Sequence, residues 1–434
     1  MRTEALSILC VLAAVGCNDS LDQQGLTAGS GQFAVLSDNY TGAASISLLD
    51  DMGKVSKAEW VGSRTENAKL RTPLSEDVVL TTVSTELHYL TAIERSLGVL
   101  TRFDIGNGDV LGQLRTDDSP QDDKAAYHSN PQDVLYISDD SAWVTRWRQN
   151  PDGSAAERER GNDLIEWSPK TFKRSERRID LSDLNEDIDE VQLDKDGNAT
   201  GTATATAYAS PTSLVPVGGF VAVGITGITL NYNYGPGKLA IVDLNKARRV
   251  SVLELEGLTN CAEVRPVADD FKSVIVSCAG GYGDSGEHTG LLKISVDDAG
   301  TARITGSYRK TDHQEQRTIT GNVASVGGNI VVAVAPGHID TETMQADETD
   351  RLVRVDLASG KTQELLKSKG AFALGTPAFA VKAGLLIIPD AGGTQDPSTG
   401  VHRFVVTIGR DVKRVDFVEV ASDTGLAARQ VLAL

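Results

Sequence analysis

Leu352-Val353-Arg354-Val355-Asp356-Leu357-Ala358-Ser359-Gly360-Lys361 reads as a short strand running into an acidic turn. Alternating apolar positions end at an Asp whose carboxylate can accept backbone N–H groups, and the Gly supplies positive φ. The phrase recurs. Thr101-Arg-Phe-Asp104-Ile-Gly-Asn-Gly108, Leu239-Ala-Ile-Val-Asp243-Leu-Asn-Lys246 and Leu292-Lys-Ile-Ser-Val-Asp297-Asp-Ala-Gly300 follow the same order. Asp243, Asp297 and Asp356 are spaced by 54 and 59 residues. Such spacing marks an array of similar units.

Working outward, each turn is preceded by a continuous apolar run. Phe33–Leu36, Phe220–Val223, Val274–Val276, Ile330–Val334 and Leu385–Ile388 are of this kind. Runs of three to five apolar residues bounded by Gly, Asp and Asn point to strands covered on both faces. A third strand follows each turn, as in Val250–Leu255 and Thr362–Leu366, and a fourth precedes each run, as in Leu214–Val217 and Val323–Val326. Four short antiparallel strands per 40–60 residues is the grammar of a β-propeller blade. Six complete units begin near Leu74, Pro131, Thr212, Cys261, Asn322 and Pro377. The first region, 32–63, carries three strands, and an unpartnered strand ends the chain at 427–434. Three plus one makes a seventh blade. The expected fold is therefore all-β, a seven-bladed propeller of four-stranded antiparallel blades, its ring closed by pairing the C-terminal strand with the N-terminal blade. Segments 118–130 and 184–209 blur two boundaries and leave counts of six and eight open.

Register gives one covalent expectation. A hairpin turn centred between Asp269 and Asp270 sets opposite one another positions whose numbers sum to 539, as those of Cys261 and Cys278 do. The expected disulfide staples one blade; two buried thiols are the competing reading.

The strand-turn phrase resembles the YVTN-type repeats of secreted bacterial seven-bladed propellers. The chain's start resembles the signal of bacterial lipoproteins. Residues 1–16 carry a sparse positive start at Arg2 and an apolar stretch, and Ala14-Val15-Gly16-Cys17 is similar to a lipobox, with Ala where Leu is preferred. The resemblance implies lipidation at Cys17, although an ordinary secretory signal fits much of the pattern. Residues 17–31 are polar and rich in Gly, Ser and Gln, a flexible tether of roughly 20 Å mean reach. Residues 32–434 form the propeller. The expected location is the cell envelope, with a lipid anchor as the only membrane contact.

With 42 basic against 60 acidic residues, net charge −18, the surface repels a phosphate backbone, so nucleic acid is not an expected partner. Catalytic motifs are sparse. There is no Gly-x-Ser-x-Gly elbow and no haem-attachment motif, and Gly360-Lys361-Thr362 lacks the leading Gly of a phosphate loop. The propeller resemblance implies a binding face built from the loops between second and third strands together with the blade-to-blade connections. The longer loops, at 151–162, 229–237, 280–290, 337–350 and 391–400, are candidates for it. They hold Asp284, Glu287, His288, His338 and Asp340, and Asp390 ends the second strand of the last blade. Imidazole and carboxylate suit a divalent metal, but no spacing here is diagnostic, and solvated loop residues are the plainer reading. Asp38, Asn39, Asp139, His338 and Asp390, near the ends of apolar strands, are candidates for a channel site. Asp194, Asp196 and Asn198 put oxygens on alternate residues, like the opening of a calcium loop. Ala199 and Ala205 replace its Gly and its bidentate Glu, so calcium is the one cofactor left open and none is expected. Trp143 and Trp147, with Arg146 and Arg148, form an aromatic and basic patch suited to packing between blades or to a partner. Two functions result. One is a lipid-anchored platform for an envelope protein or polysaccharide. The other is a metal-dependent hydrolase or lactonase-like enzyme at the central channel.

Overall fold

The computed structural model describes residues 32–434 apart from 40–41, 76, 85–87, 120–126, 194–198, 282–285, 310–317, 320, 341–342, 344–345, 394–397 and 421–424. Seven four-stranded antiparallel sheets are arranged as a ring. Blade 1 holds β1 (Phe33–Asp38), β2 (Ala44–Leu49) and β3 (Val55–Gly62). Blade 2 holds β4 (Val78–Leu80), β5 (Tyr89–Glu94), β6 (Val99–Asp104) and β7 (Val110–Arg115). Blade 3 holds β8 (Val134–Ser138), β9 (Ser141–Gln149), β10 (Gly161–Ser168) and β11 (Lys173–Asp180). A separate hairpin follows, β12 (Glu186–Leu193) with β13 (Ala199–Ala207). Blade 4 holds β14 (Pro211–Val217), β15 (Phe220–Ile225), β16 (Pro236–Asp243) and β17 (Arg248–Thr259). Blade 5 holds β18 (Glu263–Val267), β19 (Asp270–Ala279), β20 (Thr289–Val296) and β21 (Ala302–Arg309). In blade 6, β22 (Val323–Ser325) and β23 (Ile330–Ala335) are separated by the small hairpin β24 (His338–Ile339) and β25 (Ala346–Glu348) from β26 (Arg351–Asp356) and β27 (Thr362–Lys367). Blade 7 holds β28 (Ala378–Ala380), β29 (Leu385–Asp390), β30 (Gly400–Thr407) and β31 (Asp411–Glu419). The last strand, β32 (Ala427–Ala433), pairs antiparallel with β1 as the innermost strand of blade 1.

The period of two explains the unbroken apolar runs. In β23, Val331, Ala333 and Ala335 pack toward blade 5, whereas Ile330, Val332 and Val334 pack toward blade 7. Both faces of the blade are buried against a neighbour, so both sets are apolar. Seven such hydrophobic clusters fill the seven blade interfaces, including Phe33, Val35 and Leu49 against Leu385, Ile387 and Val401 where the ring closes.

The acidic turns are built as the sequence suggests. Asp356 Oδ1 accepts the amide of Ala358 at 3.0 Å and Gly360 has φ 67°. Asp297 Oδ1 accepts Ala299 N at 3.0 Å and Thr301 N at 2.9 Å. The Thr301 amide bond, with its companions, holds the Asp297 carboxyl below its ordinary range. Cys261 and Cys278 are disulfide-bonded. The register is one residue off the expectation. β18 and β19 pair as Glu263↔Ser277 and Val264↔Val276, so Cys261 precedes its strand and reaches Cys278 from the connecting segment. Gly237 makes the approach possible, because a Cβ there would lie 2.2 Å from Cys261 Sγ.

Candidate functional site

Strand order fixes which residues share a face. Loops between second and third strands and the connections between blades lie at one end of the ring, here the loop face. The tight turns between first and second strands lie at the other.

Around the axis, polar side chains knit the inner strands together. Gln430 of β32 accepts Leu80 N at 2.8 Å and donates to Leu80 O at 3.1 Å, joining blade 1 to blade 2. Buried Asp133 accepts Thr82 N at 2.8 Å, Leu214 N at 2.7 Å and Val134 N at 2.8 Å, which ties blades 2, 3 and 4. Burial pushes its carboxyl up to about 6, against the pull of those amides. Ser213 Oγ donates to Ala262 O at 2.9 Å, between blades 4 and 5. Glu263 accepts Val323 N at 3.3 Å between blades 5 and 6, and Thr376 Oγ1 donates to Asn322 Oδ1 at 2.8 Å between blades 6 and 7. These groups serve closure of the ring.

Toward the loop face the axis opens into a cavity of about 380 Å³ lined by Asp38, Arg95, Asn322, Phe372, Thr376 and Arg429. Asp38 ends β1 and lies 3.8 Å from Arg429 Nε. At the cavity's rim Phe372 is 59% exposed with φ 54°, a left-handed backbone rarely taken by an aromatic residue. Fully buried Asp350 holds it there. Its Oδ1 accepts Gly337 N and Phe372 N, both at 2.7 Å, and its Oδ2 accepts Ala373 N at 2.6 Å and Leu374 N at 2.8 Å.

A second opening lies on the loop face between blades 3 and 4, a cleft of about 180 Å³ lined by Trp147, Arg148, Gln149, Tyr208, Leu230 and Tyr232 among others. Trp147 donates from its indole N–H to Thr226 Oγ1 at 3.3 Å. Tyr208 follows β13 and exchanges two backbone hydrogen bonds with Ile228, each at 2.9 Å. The 229–233 turn is organised by Glu190 of β12, a 3% exposed carboxylate. It accepts Thr229 Oγ1–H and Asn233 Nδ2–H at 2.6 Å and Asn231 Nδ2–H at 2.7 Å. Tyr232, φ 64°, and Leu230 are each 71% exposed at the crest of that turn.

The residues singled out from sequence scatter. Asp38 lines the axial cavity, while Asn39 Oδ1 accepts Ala43 N at 3.1 Å in its own loop. Asp390 is buried in blade 7, 2.8 Å from His402 Nε2 and accepting Gly392 N at 2.8 Å. His338 pairs with Asp347 at 2.7 Å, and Asp340 accepts Thr343 N at 2.8 Å. Glu287 and His288 are exposed in the loop after β19. Asp139 corrects the expectation of one channel set. It sits in the first turn of blade 3, exposed, at the end opposite Asp38 and Asp390, because it follows an inner strand rather than a second one. Among the described residues no three His, Cys, Asp or Glu side chains converge as a metal site. Cys17, Asp284 and the calcium-like Asp194, Asp196 and Asn198 lie outside the described residues.

The Trp-Arg patch divides in two. Trp143 is 1% exposed in the blade 3–4 interface, and buried Arg146 donates to both oxygens of Asp163 at 2.7 and 2.6 Å. Trp147 and Arg148 line the cleft instead. Glu190 and Tyr208 were not signalled. Glu190 ends the run Glu186-Asp-Ile-Asp-Glu190, which reads as solvated charge until the pairing of β12 with β13 sets Glu190 apart from its neighbour Asp189.

No protein-family model and no curated protein matches the sequence. Solved structures resemble the fold. A hypothetical selenium-binding protein of Sulfolobus tokodaii aligns at TM-score 0.56 and 10% identity, over 92% of this chain and 93% of that one. A protein from Lactobacillus plantarum aligns at TM-score 0.53 and 10% identity, over 93% and 99%. The Cps50 β-propeller domain of Myceliophteria thermophila aligns at TM-score 0.50 and 12% identity, over 86% and 96%. At such identities the likeness concerns the propeller alone.

Proposed function

We propose that the protein is a binding platform of the bacterial envelope, held by a lipid on Cys17 and presenting its loop face to a protein or polysaccharide partner. One observation carries the reading. The cleft between blades 3 and 4 is an aromatic-lined recess whose 229–233 turn is fixed in advance by Glu190, so a ligand meets surface that is already ordered. A recess with a few polar groups among aromatic walls is the usual form of a recognition site. Support over a channel-centred hydrolase comes from the axis, where Asp133, Ser213, Glu263, Asn322 and Gln430 are engaged in holding blade to blade. The polar composition of 17–31, rich in Gly, Ser and Gln, supports a tether between anchor and propeller.

Crosslinking in intact cells, native protein against Cys17→Ala, tests the proposal. The expected result is a discrete envelope partner whose crosslinks map to the loop face and whose yield drops when the anchor residue is lost. Recovery of the native protein in the soluble fraction rejects the anchor. Absence of any enriched protein or glycan rejects the platform.

A further inference from the structure

We infer that the cleft between blades 3 and 4 is a subsite for an acidic sugar, one uronate ring of a longer polysaccharide. The inference rests on the platform reading and names its ligand class. Charge comes first. In a chain with 60 acidic residues, no Asp or Glu among the described residues lines this cleft, and its one cation among them is Arg148. Arg148 is exposed, and none of the ion pairs among the described residues involves it. A guanidinium left without a carboxylate in so acidic a protein is matched by a ligand that brings one, through charge-assisted and often bidentate hydrogen bonds.

The available hydrogen-bonding groups favour a sugar ring over a peptide strand. Backbone groups around the cleft are already paired: Tyr208 with Ile228 in both directions, Thr226 N with Ser210 O, Gly227 N with Ala209 O, and Arg148 N with Ser129 O. Those groups are therefore not available to pair with an extended peptide laid in the cleft. What remains is side-chain chemistry. The phenol groups of Tyr208 and Tyr232 and the amide of Gln149 offer donors and acceptors to ring hydroxyls, and the tyrosine rings and Trp147 offer flat apolar faces. The cleft, about 180 Å³, suits one hexose-sized ring.

Preorganisation is the third line. Three non-glycine residues of the cleft, Asn130, Ser210 and Tyr232, hold positive φ at 50°, 50° and 64°. Strain of this kind persists where surrounding bonds over-determine it, as Glu190 does for the turn carrying Tyr232. The hairpin β12–β13 that contributes Glu190 and leads into Tyr208 belongs to no blade, so the fold does not need it for closure.

Titration calorimetry of the full-length protein against oligomers of galacturonate, glucuronate and mannuronate, each beside its methyl ester, tests the assignment. The expected result is that at least one acidic oligomer binds and its ester binds at least about tenfold more weakly. Arg148→Gln should bring the acid down to the ester's level, while Tyr232→Ala weakens both. Thermal unfolding of the two variants should match the parent, since both side chains are exposed. Failure of every acidic oligomer to bind overturns the inference, as does equal binding of acid and ester or a preference that survives Arg148→Gln. If crosslinking meanwhile captures a protein at this cleft and no uronate binds, the platform stands and the sugar assignment falls.

Discussion

Replacing Asp350 with Asn changes one atom and should damage the loop face out of proportion to that change. Each carboxylate oxygen accepts two backbone amides, at 2.7 and 2.7 Å on one side and 2.6 and 2.8 Å on the other, and the residue is fully buried. An Asn can keep one side as acceptor, but its NH₂ then confronts two N–H donors. Neither flip removes the conflict, because all four partners donate. Two orphaned buried donors cost about 1–3 kcal/mol each, offset in part because a carboxylate no longer has to be buried. The expected net loss is about 3–4 kcal/mol. With an unfolding entropy of about 2.1 cal/mol/K per residue over some 400 residues, the melting temperature falls by about 4–5 °C. Asp356→Asn, in a turn where the carboxylate accepts Ala358 N at 3.0 Å near solvent, is the control and should cost less than about 1 kcal/mol. Differential scanning calorimetry measures the first effect. Amide exchange measures the local one, with Gly337, Phe372, Ala373 and Leu374 losing protection together. An Asp350→Asn protein that melts within about 1 °C of the parent, with those amides still protected, would refute the argument.

The remaining predictions concern the disulfide and the buried acid at the axis. Replacing Cys261 and Cys278 by Ser should lower stability by about 3 kcal/mol, from the loop entropy of a 17-residue separation, without changing the fold. Unchanged denaturant midpoints for oxidised and reduced protein would count against this. For Asp133, burial raises the folded-state pKa from 3.8 to about 6, so the native state holds the proton more tightly than the unfolded chain. This group's contribution is therefore fullest below pH 4 and is lost as pH rises toward 6, a span of about 3 kcal/mol. The turn residues Asp243, Asp297 and Asp356, whose carboxyls are held low, act oppositely: their contribution is present above pH 4 and lost in stronger acid. Carbon-13 titration should show one Asp carboxyl with a midpoint near 6, absent from Asp133→Asn; a midpoint below 4 would show that the three amide donors win over burial.

How much of this was legible in the sequence depends on the range of the interaction concerned. Strand turns were readable because the Asp and its amide partners lie within four residues, as Asp297 and Thr301 do, so one stretch of chain contains the whole device. Blade order was readable because every blade but the first is closed in local sequence, and the first announces itself by a missing strand that β32 supplies. The cysteine pair emerged from a register wrong by one residue. The disulfide tolerates that error because Cys261 sits before the strand begins, where the ladder no longer dictates its place. Asp139 failed for a related reason: position at a strand end does not say which end of the ring, and only counting strands within the blade does. Polar residues at the axis could not be read at all. Asp133 binds amides 51 and 81 residues away, and Gln430 reaches 350 residues to Leu80, distances over which no local pattern survives.

The cleft shows the same limit with a functional consequence. Its walls come from β9, the end of β13 and the 226–235 loop, and the group that shapes it, Glu190, belongs to a hairpin inserted between blades. In sequence Glu190 is one acid in a run of acids; in the fold it is buried and accepts the side chains of Thr229, Asn231 and Asn233 at 2.6 to 2.7 Å. These donors all come from the 229–233 turn, and a buried carboxylate that accepts three donors from one turn rigidifies it. A propeller can close without β12 and β13, since all seven hydrophobic interfaces are made by blade strands and their connections. The hairpin, its buried acid and the exposed tyrosine it supports are therefore additions to a ring that is already closed. That is the physical ground for looking at this face, rather than at the axis, for what the protein binds.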